Sequence, residues 1–253
     1  MKIATWNINS IRVRSDQLCG FLKRQNIDVM LLQEIKCITP LFPCEIFEDI
    51  GYNCAVFGQK TYNGVAILSK YMMDDVRLGT QIFQDDHGAR YIDAFINKHR
   101  IVSIYVPNGQ VVTSPAYVGK LEFLGTLRAH LENVASSESC IIGGDFNIAR
   151  HDVDVYDPVA WRNKVCCTDP ERETLERILD IGFMDCGREI AGPAKPIYTW
   201  WDYKQNSFSR NKGLRLDYLL ATKNVLTKDC YVDTDMRMNA RPSDHAPIVL
   251  EVR

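Results

Sequence analysis

The sequence predicts an α/β protein in which β-sheets pack face to face with helices outside them. Three observations lead there. Short apolar, β-type runs outnumber helical patterns along the 253 residues. The long amphipathic segments are few. Strands and helices do not alternate regularly enough for a barrel of eight βα units.

Residues 2–6 form a short β-type run that starts almost at the first residue. Residues 15–25 read as a helix, with Leu18, Phe21 and Leu22 on one side. Residues 28–33 are a continuous apolar run, as a strand covered on both faces requires. Further strands are expected at 52–57, 65–68, 91–96 and 101–106. Residues 117–134 have helical amphipathicity, and 139–142 form a buried strand running into Gly143 and Gly144. Residues 170–181 are helical, and strands at 216–221, 230–233 and 248–252 complete the chain. No composition break, linker or low-complexity tract interrupts the series, so residues 1–253 are expected to form one domain.

Composition excludes several classes. With 46% hydrophobic and 25% charged residues the chain is an ordinary globular protein, not a disordered or fibrous one. No apolar run is long enough to span a bilayer, and the N-terminus lacks a signal peptide's apolar stretch and cleavage site. A cytosolic location is therefore the default. The nine cysteines are scattered and form no C-x-x-C pair, so they read as reduced, packed thiols with no assigned chemistry. The formal charge of −2 argues mildly against a nucleic-acid partner unless positive charge gathers on one face.

The informative pattern is where polar residues fall relative to the strands. Asn7 follows the first strand, and Gln33 and Glu34 end the second apolar run. Asp145 and Asn147 follow the 139–144 segment, Asp217 opens another strand, and Ser243, Asp244 and His245 precede the last. Strand ends are where a sheet can hold a rigid, wetted site. The set suits a hard, oxygen-preferring ion such as Mg²⁺ or Mn²⁺ better than zinc, because it is rich in carboxylates and poor in His and Cys. Singly, each has a plainer reading. Glu34 alone is more often a solvated strand end, Asp145 after two glycines can be turn chemistry, His245 can be structural, and Asp217 can pair with Arg215 on a surface. Their joint occurrence is the signal.

Gly143-Gly144-Asp145-Phe146-Asn147, Leu214-Arg215-Leu216-Asp217-Tyr218 and Ser243-Asp244-His245-Ala246-Pro247 resemble signatures of the exonuclease III family, within the endonuclease/exonuclease/phosphatase superfamily. Trp6-Asn7-Ile8-Asn9, Leu32-Gln33-Glu34-Ile35-Lys36 and Tyr105-Val106-Pro107-Asn108-Gly109 match in the same order, so the likeness spans essentially the whole chain. Most of these motifs recur across the superfamily, including sphingomyelinases and inositol phosphatases. The Tyr105-x-Pro-Asn-Gly motif and the 211–217 segment narrow the likeness to its DNA repair branch.

The resemblance implies two packed, mainly antiparallel β-sheets flanked by helices, a four-layer DNase I-like sandwich. It implies Mg²⁺- or Mn²⁺-dependent hydrolysis of the phosphodiester 5′ to abasic sites, leaving a 3′-hydroxyl. With that come 3′→5′ exonuclease and 3′-end-cleaning activities on double-stranded DNA, in a monomeric protein of the bacterial cytoplasm. Tyr105, Asp145, Asn147, Asp217 and His245 are the implied catalytic residues. Glu34 is the principal metal ligand, with Asn7, Asp145, Asn147, Asp244 and His245 around it. In this scheme Asp145 deprotonates the attacking water, His245 sits on a phosphate oxygen oriented by Asp217, and Tyr105 approaches the phosphate or leaving group.

DNA contacts fall to Arg90, Asn108, Lys120, Trp200, Lys212, Arg215 and Leu216. The cations Lys204, Arg210, Lys212 and Arg215 interleave with Trp200, Trp201, Tyr203 and Phe208, a mix suited to a DNA backbone and an extrahelical sugar. Trp200 and Leu216 would line the sugar pocket. Leu214 stands where some family members carry Trp, which leaves the pocket's tightness open. Two alternatives remain: a lipid or inositol phosphate hydrolase of the same superfamily, and a non-catalytic DNA-binding scaffold, which should have lost some catalytic residues.

Overall fold

The computed structural model describes residues 1–83 and 87–253. Among the described residues the chain forms two six-stranded sheets. The first contains β1 (Lys2–Asn7), β2 (Val29–Gln33), β3 (Asn53–Phe57), β4 (Val65–Ser69), β11 (Thr227–Val232) and β12 (Ile248–Val252), in the order β11-β12-β1-β2-β4-β3. The second contains β5 (Asp74–Leu78), β6 (Tyr91–Ile96), β7 (His99–Tyr105), β8 (Cys140–Asp145), β9 (Phe183–Asp185) and β10 (Asp217–Thr222), in the order β5-β6-β7-β8-β10-β9. Each sheet has one parallel pair, β1 with β2 and β7 with β8, and its other pairs are antiparallel.

The four-layer arrangement follows from strands that are apolar on both faces. Ile3, Val29, Leu31 and Ile67 of one sheet meet Ile101, Ile141, Leu219 and Ala221 of the other in a common core. Their strand neighbours point the opposite way, as the two-residue period of a strand demands. Ala4, Trp6, Met30 and Leu32 pack under α1 (Ile11–Gln25), against Leu18, Phe21 and Leu22. Ile104, Ile142, Tyr218 and Leu220 pack under α3 (Pro115–Ser137) and α5 (Asp169–Asp180), against Phe123, Leu127, Leu175 and Ile178. Burying a side chain of this kind contributes about 1.5–3 kcal/mol, so the three cores dominate the stability. The short helices α2 (Cys44–Glu48), α4 (Pro158–Trp161) and α6 (Cys186–Ala191) lie in connections.

The expected strands and helices are all present, with ends shifted by a few residues. Two strands escaped the sequence reading. The β5 strand is a largely exposed, charged edge with a register irregularity, and β9 is three residues long. Neither has an apolar period to detect. The helix at 15–25 begins earlier, at Ile11, because Ile11 and Arg14 are buried while Ser10 makes no side-chain cap bond.

Gly143 and Gly144 belong to β8 rather than to a turn. A Cβ at Gly143 would collide with Leu31 of the facing sheet and with Leu219 of the neighbouring strand β10, and one at Gly144 with the backbone carbonyl of Ile104. The two glycines let β8 sink between its neighbours and present Asp145 at its end. Among the described residues no helix is long and apolar enough to cross a membrane.

Candidate active site

Strand pairing assembles the site. Asn7 ends β1 beside Gln33, the last residue of β2, so Glu34 emerges next to it. Asp145 at the end of β8 pairs with Tyr105 on one side and with Asp217, the first residue of antiparallel β10, on the other. His245 bridges to Trp200 just before β12 begins. Residues up to 238 positions apart in the chain thus meet at one edge of the sandwich.

His245 is the hub. Its Nδ1 lies 2.7 Å from Asp217 Oδ2, and its Nε2 faces Asp145 Oδ2 at 3.8 Å. Thr199 donates its hydroxyl proton to Asp217 Oδ2 at 2.6 Å and accepts the amides of Leu216 and Asp217, which fixes the carboxylate. Trp6 Nε1 donates to the His245 carbonyl, and Ser243 Oγ accepts the His245 amide while donating to the Asn7 carbonyl. Burial opposes charge on His245, yet the carboxylates of Asp217 and Asp145 outweigh it and hold the imidazole up to about 10. Burial has the largest effect on Asp145 and, against the His245 charge and with that of Asp217, pushes it up to about 7.

Amides connect this pair to Glu34. One Asn7 Nδ2 donates to both Glu34 Oε1 and Asp145 Oδ2, each at 3.0 Å. Asn147 donates its backbone amide to Asp145 Oδ1 and its side-chain amide to Asp145 Oδ2 and the Val106 carbonyl. Asn108 Nδ2 in turn donates to Asn147 Oδ1 at 3.0 Å. Glu34 Oε2 lies 2.8 Å from Lys36 Nζ; burial alone would raise this carboxyl, but the bonds from Asn7 and Lys36 hold it below its ordinary value. Tyr105 is pushed up by burial and by Glu34 and Asp145, and the Arg90 guanidinium stacks 4.7 Å over its ring.

These groups open into a cleft of about 700 Å³. Glu34, Tyr105, Asn108, Asp145, Asn147, Asp244 and His245 line its polar floor. Trp161, Trp200, Leu214 and Leu216 form an apolar wall, in which Trp161 meets Trp200 edge to face at 6.4 Å. Asp244 ties wall to floor. Its Oδ2 accepts Trp200 Nε1 at 3.0 Å and its Oδ1 accepts Asn9 Nδ2 at 2.9 Å.

The residues present fit a hard divalent cation. Asp145, Asp217 and His245 offer ligand atoms within 4.8 Å of one another, Glu34 is one amide away, and the buried Asp217 Oδ1 has no hydrogen-bond partner among the described residues. The donors are mostly oxygens with a single imidazole, the chemistry Mg²⁺ and Mn²⁺ prefer over zinc.

Two expected DNA contacts need correction. Arg215 is 1% exposed and forms a bidentate ion pair with Asp185, stacked 4.3 Å over Tyr218. It faces no solvent, and Asp217 pairs with His245 rather than with Arg215. Lys120 is fully buried and paired with Glu171 at 2.5 Å, donating also to the Asn147 and Asn108 carbonyls. It braces the catalytic loops from behind and has no reach to a phosphate. Trp201 is buried as well, its ring against Phe208 and the Arg237 guanidinium. Lys204 and Arg210 are exposed, and Lys212 is half-buried over the Tyr156 ring. The sequence reading missed Thr199, Trp161 and the bracing roles of Asn9 and Lys36. Only Trp161 and Thr199 lie outside the recognised motifs, and neither has a spacing that would single it out.

A buried acid–imidazole pair beside hard oxygen donors, on two facing sheets, defines a metal-dependent phosphoester hydrolase. The match to the endonuclease/exonuclease/phosphatase family covers residues 4–245, and the nucleases of that family are metal-dependent. The chain belongs to that family, on its exonuclease III branch. It is 32% identical to the exodeoxyribonuclease III of Haemophilus influenzae, with all of both chains covered. Among solved structures, a 3′ phosphatase from Neisseria bound to a product DNA hairpin superposes with a TM-score of 0.97 at 37% identity, covering 100% of this chain and 99% of that one. An AP endonuclease from Archaeoglobus fulgidus superposes at 0.94 and 34% identity, with the same coverage.

Proposed function

We propose that this protein is a DNA repair nuclease that hydrolyses the phosphodiester 5′ to abasic sites, leaving a 3′-hydroxyl, and trims blocked or recessed 3′ ends of duplex DNA. The observation that carries this reading is the coexistence of two features in one cleft. The Asp145–His245–Asp217 cluster supplies phosphodiester chemistry, and the Trp200–Leu214–Leu216 wall beside it supplies an apolar seat for a base-free sugar. The naming of relatives as exodeoxyribonuclease III, 3′ phosphatase and AP endonuclease supports the same substrate class.

In this reading Asp145, raised toward neutrality, accepts the proton of the attacking water, and Asn147 holds that water and the phosphate. The protonated His245 donates to a non-bridging phosphate oxygen as negative charge builds there, with Asp217 and Thr199 keeping its ring in place. Tyr105 approaches the leaving side, steadied by Arg90. Glu34, with Asn7, Asp145, Asn147 and Asp244, would hold Mg²⁺ or Mn²⁺, and the ion would supply Lewis acidity toward the phosphate; His245, as the cation, serves the phosphate oxygen instead of the metal. Lys212, Asn108 and Arg90 are the remaining candidates for DNA contact. The whole chain acts as one catalytic unit, as a monomer, in the bacterial cytoplasm.

The test is a labelled duplex with one abasic-site analogue, incubated with Mg²⁺ or EDTA. Metal-dependent incision on the 5′ side, with undamaged duplex cut far less, supports the assignment. Folded protein that leaves this duplex and 3′-phosphorylated ends intact, yet hydrolyses a lipid or inositol phosphate, overturns it.

A further inference from the structure

On the far edge of the first sheet, away from the catalytic cleft, two cysteines and a glutamate converge. Cys44 and Glu48 are four residues apart on α2, which places them on one face of that helix. That face looks onto Cys54 of the edge strand β3, whose Sγ lies 4.0 Å from the Cys44 carbonyl oxygen. The two thiol sulfurs and a carboxylate oxygen all lie within 4.8 Å of one another. In a tetrahedral zinc site with bonds of about 2.0–2.3 Å, ligand atoms stand roughly 3.3–3.8 Å apart, so only a small closing movement is needed.

We infer that Cys44, Glu48 and Cys54 form a site for one thiophilic divalent cation of the zinc class, with the fourth position open to solvent. Two features support this beyond proximity. Glu48 is exposed and its carboxylate has no hydrogen-bond or ion-pair partner among the described residues, so it is free to turn inward. Both thiols are half-buried, which leaves a path for an ion while limiting competition from water.

The donor set differs in kind from the catalytic one. Two sulfurs select a soft or borderline ion, whereas the oxygen-rich cleft selects Mg²⁺ or Mn²⁺. Binding replaces the two thiol protons, which pass to buffer, with two metal–sulfur bonds. The bound ion clips α2 to β3, one of the two edge strands of its sheet.

The experiment titrates reduced, metal-free, full-length protein with Cd²⁺ in saturating Mg²⁺, following the ultraviolet thiolate-to-cadmium absorption and proton release. The expected result is one equivalent bound, two thiolates' worth of absorption and two protons released per ion. Cys44→Ser/Cys54→Ser abolishes the signal, Glu48→Gln weakens binding about tenfold or more, and both variants keep wild-type circular dichroism and Mg²⁺-dependent cleavage. An unchanged band in the double serine variant, or no band with one equivalent of Cd²⁺, overturns the site. So does isolation of the wild type with Cys44 and Cys54 joined as a disulfide under reducing conditions.

Discussion

Asp145 and Asp217 sit directly opposite each other on adjacent antiparallel strands, and His245 stands between them, 2.7 Å from one and 3.8 Å from the other. This register makes two carboxylates share one imidazole. It holds His245 as the cation that hydrolysis of a phosphodiester requires, while burial first, and then Asp217, raise Asp145 against the pull of the His245 charge.

Replacing the base should be the most damaging single change. Asp145→Asn keeps the shape and the amide bond from Asn7 but cannot take a proton from water. The rate is expected to fall by roughly 10³-fold or more, with folding and abasic-DNA affinity retained. Single-turnover cleavage with a parallel binding titration checks this; near-normal turnover would remove the assignment.

Orientation of His245 can be separated from its charge. Asp217→Asn should lower the rate by roughly 10²-fold, while Thr199→Val, which removes only the hydroxyl that fixes Asp217, should cost less. Equal losses in kcat from both variants would mean that Thr199 acts on the substrate itself.

Arg215 and Lys212 should behave as different kinds of residue despite lying three apart. Arg215→Ala strands Asp185 in the interior and should destabilise the protein by about 3–5 kcal/mol. In the fraction that stays folded, the salt dependence of DNA binding should match the wild type. Lys212→Ala should leave the urea midpoint unchanged and reduce the salt slope by about one. A reduced slope in Arg215→Ala would place its guanidinium at the DNA after all.

The same ion pair predicts a pH dependence of stability. Burial opposes ionisation of Asp185, but Arg215 outweighs it and holds the carboxyl below its ordinary value. A depressed folded-state value adds stability that is fully present above the unfolded carboxyl value of about 4 and is lost as pH falls through the folded one. Urea midpoints measured from neutral pH downward should fall below about pH 4. They should fall less steeply in Asp185→Asn, which starts from a lower stability. Parallel curves for the two proteins would count against the pair.

Much of this was legible in the chain alone. The apolar runs at 28–33 and 139–142 announce strands covered on both faces, because only such strands have no polar side. The polar residues at strand ends, and the motifs they form, point to the catalytic set, since a sheet fixes what stands at its edge. Tertiary structure decided the rest. Which cations face DNA depends on partners far away in sequence: Asp185 withdraws Arg215, Glu171 withdraws Lys120, and no local pattern announces either. Thr199 reaches Asp217, and Cys54 reaches Cys44, only after the sheets and the α2 connection are in place. Periodicity reports burial of a face, whereas the pairing of two side chains depends on register and on loop paths that periodicity does not encode.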